Sequence, residues 1–174
     1  MANENKISQI QVGSVTYDIC DATALPSNAD ANHALAVKDQ TNTSNIFSIN
    51  WNGAVEHSGD VPWTNLPLTS SAVAFSDGQT PMYRKWGPVV TVCGAIKMAS
   101  AQSADFSVNI GQLPVGCRPK RDLQILCQGS SREIWLLLIN AGGLMNASRY
   151  RRGDTAVAVG TNTWFPFIAT FLVA

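Results

Sequence analysis

Charged side chains are scarce in this chain. Asp, Glu, Lys and Arg make up 14% of its 174 residues, and 12 basic groups balance 12 acidic ones. An average soluble domain carries about 25%. A formal net charge of zero gives no long-range attraction for nucleic acid or an anionic membrane. Only two histidines are present, His33 and His57, remote in sequence from the four cysteines Cys20, Cys93, Cys117 and Cys127. No CxxC pair occurs, so a structural zinc site is not expected. Long apolar runs are also missing. The longest, Ile134 to Ile139, is far short of the ~20 residues of a membrane helix, and no membrane insertion is expected. The opening MANENKISQ lacks the apolar centre and small-residue cleavage site of a secretory signal. Synthesis in the cytoplasm is therefore expected, and with it reduced, packed thiols rather than disulfides. Cys93, at a strand position, reads as a small buried hydrophobe.

Catalytic signatures are equally thin. Neither histidine lies near a Gly-x-Ser-x-Gly elbow or an HExxH helix, and the chain has neither motif. No Gly-rich phosphate loop follows a strand, so no cofactor is expected; Gly142-Gly143 reads as a hairpin turn. The acidic residues of the C-terminal part are Asp77, Asp105, Asp122, Glu133 and Asp154. A glycosidase needs two carboxylates across a cleft, but isolated carboxylates of this kind are more often solvated turn residues. An enzyme is not expected.

What the chain has in quantity is alternation. Ile10 and Val12 precede Gly13-Ser14, and Val15, Tyr17 and Ile19 follow, the pattern of a β-hairpin. A turn-rich polar stretch through Pro26, Asn28 and Asn32 comes next. Phe47, Ile49 and Trp51 then alternate up to an Asn52-Gly53 turn, after which Val55 resumes. A lone hairpin of this size is marginal, so it must pack on the rest of the chain or on copies of itself. Asp60-Val61-Pro62 reads as a hinge. From Trp63 onward about seven to nine strands follow at roughly 8–12-residue spacing, the rhythm of an all-β sandwich or barrel. Val90, Val92, Ile96 and Met98 face one way. Phe106, Val108 and Ile110 alternate with Asp105, Ser107 and Asn109, leaving one wet face. Ile134 to Ile139 is apolar at every position, which calls for cover on both faces. Pro166, in the last run WFPFIATFLVA, belongs at a sheet edge, a strand start or a bulge. No stretch shows helical periodicity.

The segment Tyr83 to Lys120, YRKWGPVVTVCGAIKMASAQSADFSVNIGQLPVGCRPK, resembles the C-terminal head domain of tail-fibre and receptor-binding proteins of phages of Gram-positive hosts. The corner Leu-Pro-x-Gly-x-Arg-Pro is its most specific element. That family usually has Tyr where this chain has Cys117, which leaves an aromatic contact unfilled. IQVGSVTYDICDATAL is similar to the N-terminal hairpin of prophage tail and baseplate proteins, with a plain edge hairpin as the alternative. FSINWNGAVEHSG resembles stem repeats of trimeric fibres. The resemblance implies an attachment hairpin over residues 1–25, a linker and short trimeric β stem over 26–61, and a jelly-roll-like β-sandwich head over 62–174. It implies a homotrimeric tail-tip or baseplate protein of the virion that binds host cell-wall saccharide or teichoic acid. Other tail or baseplate proteins would hold its N-terminus. A structural fibre or decoration subunit without a receptor site, and a small carbohydrate-active enzyme, are the competing functions.

The motif reports a fold and transfers no ligand residues. The candidates come from the densest polar cluster, Arg149, Tyr150, Arg151, Arg152 and Asp154, with Trp164 nearby. Arginine forks and aromatic rings suit sugar hydroxyls, phosphates and carboxylates. Loops at one end of a rigid β scaffold are a usual binding surface. The alternative for the cluster is a solvated hairpin end with local Arg–Asp pairs, or a subunit contact. For Trp135 the expected role is core packing. Arg118, Lys120 and Arg121 form a second basic corner, read as structural.

Overall fold

The computed structural model describes residues 9–12, 15–21, 33–39, 45–50, 55–57 and 59–173; among residues before 55, side chains are described for Ser48 and Ile49 alone. Its internal contacts divide the chain into Met1–Asp60 and Val61–Ala174. The first unit holds five antiparallel strands in sequential order: β1 (Gln9–Val12), β2 (Val15–Asp21), β3 (His33–Asp39), β4 (Asn45–Asn50) and β5 (Val55–His57). Val12 pairs with Val15 and Ile49 with Val55, so each expected hairpin has its two strands in register. The turns Gly13-Ser14 and Asn52-Gly53, Trp51 and the polar stretch around Pro26 lie outside the described residues. Ser48 is buried in β4.

The second unit is a sandwich of two antiparallel sheets. One has the order β15-β9-β8-β6, with β7 also on β9; the other has the order β10-β13-β12-β11, with β14 also on β13. The elements are β6 (Val61–Asn65), β7 (Ala72–Ala74), β8 (Met82–Trp86), β9 (Val89–Met98), β10 (Ser107–Gln112), β11 (Leu123–Gln128), β12 (Glu133–Ile139), β13 (Leu144–Arg152), β14 (Thr155–Ala156) and β15 (Phe165–Leu172). Placing β10 beside β13, beyond the β11–β12–β13 meander, makes a Greek key, and the head is a jelly-roll-like sandwich. A short 3-10 turn at Asp77–Gln79 is the sole helical element among the described residues. The sequence count of about seven to nine strands falls short of ten because β7 and β14 are too brief to show a period.

Alternation decides which residues fill the space between the sheets. Val90, Val92, Ile96 and Met98 of β9 are buried against Trp135, Leu137 and Ile139 of β12 and Phe165, Phe167 and Phe171 of β15. Phe165 joins the sheets. Its ring meets Trp135 edge-on at 5.4 Å and Phe106 edge-on at 6.1 Å, and lies tilted on Tyr150 at 4.9 Å. Edge-to-face pairs of this kind add about 0.5–1.5 kcal/mol each beyond area burial. Pro166 sits on β15, an edge strand, where the missing N–H breaks no central ladder.

One thiol departs from expectation. Cys93 is half-buried on the outer face of β9, opposite Ile168, because Val92 takes the inward phase. The packed thiols are instead Cys117 and Cys127, and all three are free. Burial pushes the Cys127 thiol up to about 11. Cys117 follows a tight turn in which its N–H reaches the Pro114 carbonyl at 3.1 Å. Gly116, with φ of 85°, supplies the left-handed third position that a type II turn requires.

Gly94 is the tightest point of the sheet. It has φ of 138°, and an added Cβ would lie 2.5 Å from the Pro81 Cα. Neither the backbone conformation nor the neighbouring chain accommodates a side chain there. Gly94→Ala is expected to lower stability by more than about 2 kcal/mol, read as a lower urea midpoint at unchanged slope.

Candidate functional site

The polar cluster on β13 is divided by a β-bulge. Ile134 pairs with Arg151 but Leu136 pairs with Ser148, so β13 spends one more residue than β12 over the same span. The extra residue is Arg149, in the left-handed region at φ 53°. A bulge of this geometry ordinarily has glycine in that place. The phase of the strand is reset. Met145, Ala147 and Tyr150 point into the core, whereas Ser148, Arg149 and Arg151 line the outer face.

On that outer face lies a hollow of about 460 Å³. Asp105, in the loop before β10, closes one end; it too is left-handed, at φ 61°. Arg151 reaches Asp105 at 3.4 Å and donates to the Asp154 carbonyl at 3.0 Å. Arg149 has no acidic partner among the described residues. A row of amides and hydroxyls crosses the floor. Ser107 is hydrogen-bonded to Asn146 Oδ1 at 3.2 Å, and the Asn146 amide donates to Asn109 Oδ1 at 3.3 Å. Leu136, Leu138 and Leu144 form the apolar side. Two guanidinium groups against one carboxylate leave the hollow with one surplus positive charge. Bidentate donors, fixed amides and an apolar wall together suit a hydroxylated ligand that carries an anionic group.

Tyr150 and Arg152 belong to the other side of β13. The Tyr150 hydroxyl accepts the Ser130 N–H at 2.9 Å and donates to Glu133 Oε2 at 3.3 Å. Burial, above all, raises its pKa, so it remains a donor at neutral pH. Arg152 donates from Nε at 3.1 Å and from Nη2 at 2.5 Å to Glu133 Oε1. Asp154 is exposed in the turn between β13 and β14 and gives its backbone carbonyl to Arg151. Trp164 is half-buried, and its backbone N–H reaches Ser130 Oγ at 3.3 Å. The six sequence candidates therefore divide: Arg149 and Arg151 share the outer hollow, while Tyr150 and Arg152 pack around Glu133. Asp105 and Asn109, expected on the wet face of a strand, and Asn146, which the sequence did not single out, are further functional candidates. No group of three His, Cys, Asp or Glu suited to a metal ion occurs among the described residues, and no helix of the structure is long and apolar enough to cross a membrane.

The left-handed arginine makes a test of whether this place is shaped for stability. A non-glycine residue there costs about 1–2 kcal/mol, and glycine returns part of that as extra chain entropy. Arg149→Gly is expected to raise stability by roughly 0.5–1 kcal/mol in urea unfolding, whereas Arg149→Ala gives no such gain.

No protein-family model and no curated protein sequence matches the chain. Among solved structures, it is similar to the head domain of the lactococcal phage bIL170, a receptor-binding domain, at 18% identity and a TM-score of 0.51. The match covers 66% of this chain and 100% of that one. The sandwich that carries the hollow has the fold of a phage receptor-binding head.

Proposed function

We propose that this chain is the receptor-binding protein of a phage particle, attaching to host cell-surface saccharide as a homotrimeric spike. The observation that carries this reading is the outer hollow of the β10–β13–β12–β11 sheet, with Arg149, Arg151, Asp105 and the Asn109–Asn146 amides over a leucine wall. Its surplus positive charge favours an anionic polymer such as teichoic acid or a phosphorylated wall polysaccharide. The fold shared with a phage head domain supports placing the protein in the virion, with the first 60 residues as the part that other tail or baseplate proteins grip. Catalysis is not favoured. Asp105 is ion-paired to Arg151 and Glu133 to Arg152, and the outer hollow supplies no second carboxylate of the kind that glycoside hydrolysis requires.

Self-association is supported by the apolar surface beside the site. Leu126 on β11 is 67% exposed, and Ile168 on β15 is 68% exposed. These strands are neighbouring edges of the two sheets, with a shallow apolar trough between them that includes Ile125, Pro166 and Phe167. Ile134 extends the band beside Leu126, half-buried on the face of β12 opposite Trp135 and Leu137, while Leu136 and Leu138 on that same face are the wall of the outer hollow. The run from Ile134 to Ile139 thus has one face fully packed and one shared between the proposed ligand hollow, at Leu136 and Leu138, and the proposed contact between copies, at Ile134. Zero net charge sets no self-repulsion against this. Three weak sites on one spike then gain avidity when they engage a repetitive polymer together.

Two measurements test the reading. Light scattering of the full chain is expected to give a trimer, and Leu126→Arg with Ile168→Asp to shift it towards monomer; a monomeric wild type would sink the spike. Sedimentation with purified Gram-positive cell walls should capture the protein. Arg149→Ala combined with Arg151→Ala should cut capture at least tenfold, about 1.4 kcal/mol, at an unchanged melting temperature. Equal capture of wild type and variant would remove the outer hollow from the function.

A further inference from the structure

A second hollow, of about 440 Å³, opens on the other side of β13, between the β11–β12 turn and the segment that leads into β15. Glu133 lies within it, and is the sole buried charged residue among those described, 6% exposed. Stability does not explain that burial, since a desolvated ion pair is commonly no better than a well-packed apolar pair. The hydrogen-bond inventory is uneven. Glu133 Oε1 takes two donors from Arg152, but Oε2 takes only the long Tyr150 contact, which leaves acceptor capacity on a carboxylate oxygen. Arg152 is 69% exposed and keeps Nη1 without a partner among the described residues. An acceptor and a donor thus stand side by side, the pairing that two neighbouring hydroxyl groups require.

The surroundings agree with a hydroxylated ligand. Ser130, Asn162 and Thr163 line the hollow beside the half-buried Val157. Trp164 follows the lining residue Thr163 without lining the hollow itself; it hydrogen-bonds Ser130 through its backbone N–H, and its buried indole Nε1 has no acceptor among the described residues. An orphaned buried donor is rare and costly. Glu133 and Arg152 cancel in charge, so nothing here favours an anion over a neutral ligand. The outer hollow differs, with one arginine in surplus.

We propose that this second hollow is a separate subsite for a neutral sugar residue, with Glu133 accepting and Arg152 donating to adjacent hydroxyls. The inference rests on the saccharide reading of the chain. Tyr150 is a positioning residue that fixes the carboxylate.

The test is a titration of the ¹⁵N-labelled full chain, following amides and tryptophan indole signals, with the Trp164 indole assigned by Trp164→Phe. The neutral probes are glucose, galactose, rhamnose and N-acetylglucosamine; the anionic probe is inorganic phosphate. At least one sugar is expected to shift the Trp164 indole and the Ser130 amide saturably, in the millimolar range. Phosphate should move Asp105 and Arg149 amides instead. Glu133→Gln, which keeps the shape but replaces one accepting oxygen with a donating amide, should weaken the sugar response at least tenfold, and Arg149→Ala should leave it unchanged. Shifts confined to the outer face with every sugar would overturn the second site while leaving the receptor reading intact. So would a Trp164 response to phosphate alone, or no response at Trp164 to any sugar. Failure of the receptor reading itself is read separately, in the cell-wall sedimentation.

Discussion

One extra residue in β13 governs what both sides of the head sheet present. Had the strand kept strict alternation past Ala147, Arg149 would point into the core and Tyr150 into solvent. Neither is tolerable, since an unpaired guanidinium among Phe106, Trp135 and Phe165 would lack any counter-charge. The bulge moves the mismatch into the backbone, at a left-handed arginine. Tyr150 then turns inward onto Phe165, and its hydroxyl ties the β11–β12 turn to Glu133. The same step brings Arg149 and Arg151 to the outer face together. Gly129 completes the fit, because an added Cβ there would meet the Tyr150 hydroxyl at 2.6 Å.

This construction keeps the site and the core in mechanical register. Asp105 is followed by Phe106, and Thr163 and Trp164 lead into Phe165. Each of these candidate contacts is therefore one or two residues from a ring of the aromatic joint between the sheets. Strain held at Asp105 and Arg149 is offset by that joint, as expected where local geometry serves something other than stability. The apolar band over Leu126 and Ile168 adjoins the outer hollow, since Gln124 of β11 and Leu136 of β12 line that hollow, so the proposed association and ligand surfaces share an edge.

Most of the fold was legible because β-structure writes itself as a period of two. The runs around Val90 and Phe106 showed their inward faces, and Trp135 lies in the core as expected. The Leu-Pro-x-Gly corner gave a turn whose glycine has the positive φ that the motif demands. Cys93 was misplaced because, in a strand apolar on both faces, side-chain type does not reveal phase. The site was legible as a neighbourhood but not as an arrangement. Four consecutive polar and aromatic residues look like one cluster on paper. A bulge without glycine leaves no signature in composition, so the division of Arg149 and Arg151 from Tyr150 and Arg152 was invisible. Asp105 was hidden for another reason, as its partner Arg151 is 46 positions away.

The pleat also sets how such a protein is free to change. In β10 and β13, positions 107, 109, 146 and 148 touch the outer hollow, while their immediate neighbours 108, 110, 145 and 147 face the interior. Substitutions at the first set alter the surface offered to a ligand and leave packing untouched. Recognition can therefore drift residue by residue, by the parity of the strand, with little tax on folding. A lineage built on this sheet can explore new surfaces to bind while inheriting the same interior.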